Sequence, residues 1–284
     1  MSTLGTLLRK TERRLAQAGI GDARIEADLV WMTALDVGRT ELFSRLPDAV
    51  TEAESSAAEA LIERRLRHEP AAYIMGKREF FGLELTIAPG VLIPRPDTET
   101  LVEEALRIAP SLPAGGLRIA DVGCGSGAIG IALAASLPHA HVFATDIAPR
   151  ALEIASSNAE RYGLAGRMTF QLGDLLEPVP EPVHLITANL PYVASHEIPT
   201  LDPEIRIYEP REALDGGGDG LDVIRRLLDS AAGQLVAGGA MLLEMDPRQI
   251  EEATAHARER FDGAIVRAVP DLTGRDRVLV VQTR

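Results

Sequence analysis

A carboxamide, two backbone carbonyls and an aromatic ring stand together at Asn189-Leu190-Pro191-Tyr192, directly after the apolar run Val183 to Ala188. That set suits a planar nitrogen substrate. An amide or ring-amine nitrogen is a poor nucleophile because its lone pair is spread into the neighbouring π system, so it must be held still while its growing charge is favoured. The Asn189 side-chain oxygen and the Leu190 carbonyl can each accept one N–H of an NH2 group, while Tyr192 covers its flat face. Acceptors set where positive charge develops stabilise the transition state more than the ground state. Asn189, Leu190, Pro191 and Tyr192 are therefore the candidate catalytic and substrate-binding positions. Alone, the tetrapeptide also fits an ordinary strand-to-turn boundary, so the surrounding elements have to decide.

Upstream, Arg118 to Val122 reads as a short strand that runs into Gly123-Cys124-Gly125-Ser126-Gly127 and then an apolar helix, Ala128 to Leu137. Glycines there let the backbone approach a ligand, and the helix start offers free N–H groups. A second strand, His141 to Ala144, leads to Asp146, nineteen residues past Gly127. An acid at that spacing can accept both hydroxyls of a ribose. A third strand from Met168 is followed by Asp174 and Leu175. Gly123, Gly125 and Ala128 also satisfy the relaxed dinucleotide fingerprint of a nicotinamide or flavin enzyme, and spacing does not separate the two. The further acid after the third strand points to S-adenosylmethionine. So does an Asn where hydride transfer calls for a His or Tyr. The candidate cofactor contacts are Gly123, Cys124, Gly125, Ser126, Gly127, Asp146, Asp174, Leu175 and Asn189. No metal is expected: His139 and His141 lack a third ligand, and Asp215 to Gly220 lacks the oxygen spacing of a calcium loop. That glycine-rich stretch reads as a mobile connection that caps the next helix, and Glu244 to Gln249 as a structural turn.

These positions need elements that bring them to one edge. From Arg118 onward strands alternate with helices, the pattern of a parallel sheet covered on both faces. Pro149 to Tyr162, Asp222 to Leu235 and Pro247 to Phe261 read as helices, Gly239 to Met245 as the fifth strand, and Ala264 to Val269 with Arg277 to Thr283 as a closing antiparallel pair. Gly123, Asp146, Asp174 and Asn189 then all fall at carboxyl ends of strands, where such sheets bind ligands. The amino-terminal part reads as helices: Leu4 to Ala18, Asp22 to Leu35, and Thr51 to His68 opened by a Thr51/Glu54 capping box.

Beyond these motifs, Glu69 to Leu83, Val91 to Glu99, Tyr208-Glu209-Pro210-Arg211 and Asp271 to Arg277 occur together and in order. With them the chain resembles the release factor glutamine methyltransferases, the PrmC/HemK family, over nearly its whole length. The resemblance implies an α/β class I S-adenosylmethionine-dependent methyltransferase, Rossmann-like, with a mostly parallel seven-stranded sheet. It implies a helical substrate-recognition domain over 1–72, a linking β-hairpin over 73–95 and a catalytic domain over 96–284. The implied reaction moves a methyl group from S-adenosyl-L-methionine, leaving S-adenosyl-L-homocysteine, to the glutamine amide of the Gly-Gly-Gln motif in class 1 peptide chain release factors. The helical domain would grip that partner, with no direct nucleic acid or membrane contact and a monomeric enzyme. A sister family acting on a ribosomal protein, adenine methyltransferases of nucleic acids, and a donor-binding regulator share parts of the pattern. Two departures stand out: Leu190 replaces the family's usual Pro, and the segment Glu244 to Gln249 stands where relatives tend to carry a Gly after an apolar residue. If position 190 supplies only a carbonyl, Leu serves, because Pro191 biases it toward extended geometry.

Composition narrows the field further. With 284 residues the chain has room for a catalytic domain and one small domain. Its net charge is −13, yet residues 1–80 hold 12 basic and 13 acidic side chains, so the acidity lies in the remainder. Such a domain repels a phosphate backbone and disfavours nucleic acid as substrate. The single cysteine, Cys124, excludes an internal disulfide and has no base nearby in sequence. Residues 1–19 lack an apolar targeting core, and Ala128 to Leu137 is too short to cross a bilayer, so a cytoplasmic protein is expected.

Overall fold

A computed structural model describes residues 2–113 and 116–284, and the chain divides into two compact units. The first comprises Met1–Lys77 together with Asp202–Tyr208. Its helices Leu4–Gln17, Ala23–Leu35 and Glu52–Leu66 bury one face each, with Leu8, Leu15, Trp31, Leu42 and Ile62 at the centre. Trp31 buries its ring there because its indole N–H finds Thr11 Oγ1 at 3.0 Å, which removes the penalty of a dry donor. Thr51 and Glu54 form the expected capping box. Residues Ala71–Met75, expected in part as hairpin, are helical instead, started after Pro70 and stopped by Gly76 in the left-handed region. Two strands follow, β1 (Lys77–Phe80) and β2 (Leu83–Thr86).

The second unit, Arg78–Leu201 with Glu209–Arg284, holds a seven-stranded sheet. Its strands are β3 (Arg118–Val122), β4 (His141–Asp146), β5 (Met168–Leu172), β6 (Val183–Ala188), β7 (Leu235–Glu244), β8 (Ile265–Pro270) and β9 (Asp276–Gln282). The order is β5-β4-β3-β6-β7-β9-β8, parallel except for β9, which runs antiparallel to both β7 and β8. The order reverses between β3 and β6, so their carboxyl ends flank the crevice where doubly wound sheets take ligands. β3, β4 and β6 are buried almost throughout because helices cover both faces. The fifth sheet strand starts at Leu235, earlier than the expected Gly239, and the preceding helix stops at Ala231. Leu235 already pairs with Val183, and a bulge separates that pair from the Leu185–Ala240 register. Gly238, at φ 74°, accommodates the irregularity.

Candidate active site

The loop after β3 is shaped by its glycines. Gly123, Gly125 and Gly127 have φ of 68°, 55° and 81°, values that L side chains rarely adopt. A Cβ on Gly127 would also lie 2.9 Å from Ile131 and 3.1 Å from Ala155, so that glycine lets the loop pack tightly on its helices. Asp121, fully buried in β3, accepts Gly130 N–H at 2.8 Å and the Thr187 hydroxyl at 3.3 Å. Burial pushes its carboxyl up to about 7. Asp146 at the end of β4 accepts Gly125 N–H and Ala148 N–H, each at 2.9 Å. Burial raises its pKa, and those N–H groups offset part of the rise. Each carboxylate oxygen keeps a second lone pair, so Asp146 can hold its loop and still accept ligand hydroxyls. The Cys124 thiol is buried, which pushes its pKa up and removes thiolate character.

A cavity of about 480 Å³ opens at these strand ends, within the range of small-molecule sites. Gly123, Cys124, Gly125, Ser126, Asp146, Asp174, Leu175, Asn189, Leu190 and Pro191 border it, whereas Gly127 and Tyr192 do not. Gly127 serves packing instead. Asp174 makes an ion pair with Arg226 at the rim. Leu175 has φ 49°, a strained value for a branched side chain, and its carbonyl accepts the Thr145 hydroxyl at 2.7 Å.

At the end of β6, Asn189 Nδ2 donates to Thr98 Oγ1 at 3.1 Å. That bond leaves Oδ1 as the carboxamide's unbonded acceptor among the described residues, beside the cavity. The Leu190 side chain is buried and packs toward the glycine loop, its Cδ2 lying 2.9 Å from where a Cβ on Gly123 would stand. The chain then turns inward at Tyr192. Its hydroxyl reaches Glu244 Oε1 at 3.4 Å, its carbonyl accepts Gln249 Nε2 at 2.9 Å, and burial pushes its phenol pKa up.

Asp215 to Gly220, read from the sequence as a connection that caps the next helix, also braces this turn. Val193 N–H donates to Leu214 and Gly216 N–H to Val193. A Cβ on Gly216 would sit 2.6 Å from the Pro191 oxygen, and one on Gly220 2.2 Å from the Tyr192 oxygen. Only glycine lets the two backbones approach this closely. Ser195 and Arg211 both bond Asp215, which holds the loop closed. Arg95 and Glu99 do not pair with one another. Arg95 pairs with buried Glu209, which also accepts Ile93 N–H at 3.2 Å, while Glu99 accepts Phe81 N–H at 3.0 Å. His141 is engaged by Thr169 at 2.9 Å.

Thr98, Glu244 and Gln249 belong to this site although sequence reasoning did not place them there. The available signal was Glu244 itself, a carboxylate closing the apolar strand run Ala240 to Leu243. A charge at a buried strand tip is costly, so its presence points to a role at that tip.

Comparison with known proteins settles the family. The PrmC N-terminal domain family matches residues 6–76, and the methyltransferase small domain family matches residues 106–231. The release factor glutamine methyltransferase of Moorella thermoacetica is 40% identical over 283 residues, covering 99% of both chains. The chain belongs to the release factor glutamine methyltransferases. The Geobacter sulfurreducens member of this family is 41% identical over 250 residues, covering 88% of this chain and 86% of its own. Among solved structures, the hMettl16 catalytic domain in complex with a 3′UTR hairpin matches with TM-score 0.59 and 15% identity, covering 82% of this chain and 83% of that one. A T. thermophilus 16S rRNA methyltransferase in complex with AdoMet and guanosine matches with TM-score 0.53 and 20% identity, covering 73% of this chain and 50% of that one. At such identities these two establish the α/β methyltransferase fold alone. In this release factor glutamine methyltransferase, Leu190 occupies the wall between the glycine loop and the Asn189 carboxamide. No helix among the described residues is long and apolar enough to cross a membrane.

Proposed function

We propose that this chain moves the methyl group of S-adenosyl-L-methionine to the side-chain amide nitrogen of the glutamine in the Gly-Gly-Gln motif of class 1 release factors. One observation carries the reading: Asn189, whose carboxamide oxygen makes no hydrogen bond among the described residues, borders the same cavity as the glycine loop and Asp146. The residues present suit the donor. The turn Gly123 to Gly127 allows backbone approach to its amino acid portion, Asp146 has lone pairs left for ribose hydroxyls, and Leu175 with Asp174 lies where adenine would rest. When bound, the donor supplies an electrophilic sulfonium methyl.

The chain's own residues do the rest. Asn189 Oδ1 and the Leu190 carbonyl accept the two N–H groups of the substrate amide and hold its nitrogen in line with the methyl. Both acceptors favour the positive charge that appears on that nitrogen as it is alkylated. Alignment alone lowers the barrier by several kcal/mol. No strong base is needed beforehand, because the nitrogen becomes acidic only as the new bond forms, and one of its protons then passes to water. Tyr192 anchors the turn, its hydroxyl on Glu244 and its carbonyl on Gln249. The family membership of close relatives over the full length supports release factors as the substrate class.

Radioactive donor incubated with the protein and purified release factor, DNA or RNA tests this directly. Label should enter the release factor and vanish when its motif glutamine is replaced. Label in DNA or RNA overturns the substrate assignment, and donor binding without transfer to any of them overturns the enzymatic one.

A further inference from the structure

Three stretches singled out in the sequence have no part in the reaction above: Val91 to Glu99, Glu209-Pro210-Arg211 and Asp271 to Arg277. Their side chains meet around one short helical turn, Pro96–Thr98. Before the turn, Arg95 pairs with Glu209, whose Oε2 also accepts Ile93 N–H at 3.2 Å. Within it, Asp97 Oδ2 lies 3.2 Å from Arg277 Nη2 in β9. Arg277 is largely buried, and its Nε lies 3.5 Å from Asp271. Asp271 is itself held by the N–H groups of Thr273 and Arg275, at 2.8 and 3.1 Å, and by the Thr273 hydroxyl at 2.6 Å. After the turn, the helix Glu99–Ile108 begins, with Leu101, Val102 and Ala105 fully buried. What this fixed turn presents is Thr98. It is 3% exposed, it borders the cavity, and its Oγ1 accepts Asn189 Nδ2 at 3.1 Å. That is the one hydrogen bond of the Asn189 carboxamide among the described residues.

We propose that Thr98 is a positioning residue for the methyl transfer: its oxygen fixes the plane of the Asn189 carboxamide, and the ion pairs Arg277–Asp97 and Arg95–Glu209 hold its turn in place. The last torsion of an Asn side chain is soft, so without a partner on its NH2 the carboxamide turns and Oδ1 has no fixed direction. Threonine is the opposite, because its branched Cβ makes χ1 stiff. A buried Thr on a clamped turn therefore holds its oxygen still. Misplacing a reacting group by about 1 Å costs about 10²-fold in rate, so such a hold acts on kcat. Asp97 and Arg277 do not border the cavity, and they act only through the turn. Asp97 is half-exposed, and an ion pair so placed adds little to stability, which lets its effect on turnover be read apart from folding.

This inference rests on the methyl-transfer reading, and its test keeps the two apart. Wild type, Thr98→Val, Thr98→Ser, Asp97→Asn and the double variant of Asp97→Asn with Thr98→Val are compared in steady-state methylation of release factor, with donor affinity measured by calorimetry. Thr98→Val keeps the side-chain shape and removes the acceptor. It should lower kcat about tenfold or more, as the loss of one hydrogen bond that orients the reaction would, and leave donor affinity within about twofold. Thr98→Ser restores the oxygen and should recover most of that loss. Asp97→Asn should lower kcat about two- to fivefold, and the double variant should fall little below Thr98→Val, because both changes act on the same carboxamide. Wild-type kcat in Thr98→Val, an equal loss in Thr98→Ser, or losses that multiply in the double variant overturn the positioning role. So does a donor affinity that falls in step with kcat, which would make Thr98 a donor contact. Should Thr98→Val not fold, wild-type kcat in Asp97→Asn overturns the proposal alone. A wild type that labels no release factor fails the methyl-transfer reading itself, whereas a wild type that labels it, with Thr98→Val its equal, fails this inference only.

Discussion

Asn189→Ala is the sharpest perturbation, because the structure separates its catalytic from its structural cost. Oδ1 makes no bond within the described protein and Asn189 borders the cavity, so losing it removes an acceptor without breaking an internal contact. Removing one preorganised polar group lowers kcat about 10²- to 10³-fold. Nδ2, by contrast, makes one bond to Thr98, and its loss should cost about 1 kcal/mol of stability, or a fall in Tm of roughly 2–4 °C. The donor-facing walls, Gly123 to Ser126 and Asp146, keep their own bonds to β3 and β4. Donor affinity should therefore stay within about threefold. The assay is single-turnover methylation of release factor followed by mass spectrometry, paired with donor titration and thermal unfolding. A variant with near wild-type kcat but collapsed donor affinity would falsify the assignment of Oδ1 to the substrate amide.

Other outcomes follow from the same geometry. Leu190→Pro should leave kcat within about threefold of wild type on release factor if position 190 supplies only its carbonyl, as proposed above; a large gain in rate would show that Leu190 impairs the site. Gly220→Ala forces a side chain to φ 81° and to 2.2 Å from the Tyr192 oxygen, so it should lower stability by about 1–3 kcal/mol, whereas Gly218→Ala, with open space around it, should not; equal melting curves would reject the bracing role. Arg65→Ala removes a guanidinium only 2% exposed that joins Glu26 to Glu204 and should cost about 3 kcal/mol in denaturant unfolding. Asp121, whose folded-state pKa of about 7 lies above its usual 3.8, holds its proton on folding, so its contribution to stability is full at low pH and is lost as pH rises toward 7. Asp121→Asn should therefore remove a fall in Tm between pH 4 and 7, and identical slopes in both proteins would contradict the buried protonated state.

The sheet and its ligand edge were legible because each core strand is an apolar run stopped by a residue that the turn or the ligand requires. Val122 gives way to Gly123, Thr145 to Asp146, and Ala188 to Asn189. Burial on both faces demands the run, and its end marks where the chain reaches solvent and ligand. What periodicity does not carry is the depth at which side chains lie beyond those ends. Tyr192 reads as a free aromatic face, yet Glu244 and Gln249, more than fifty residues later, draw it inward. The stretch Asp215 to Gly220 reads as slack chain because glycines look alike whether they permit motion or close approach. Here Gly216 and Gly220 permit approach. Helix Pro203–Tyr208 was unreadable for a different reason: six residues hold less than two turns of pattern, and its seat depends on Arg65, 139 positions earlier.

The short helix also sets an order of events during synthesis. The amino-terminal unit includes Asp202–Tyr208, so Arg65 lacks its second carboxylate, Glu204, until the ribosome has made the first four strands of the large sheet. Domains tend to fold as they emerge, but this one stays incomplete from Lys77 until its last segment, Asp202–Tyr208, has been added. A chain interrupted before that segment therefore carries a guanidinium with one of its two anionic partners missing.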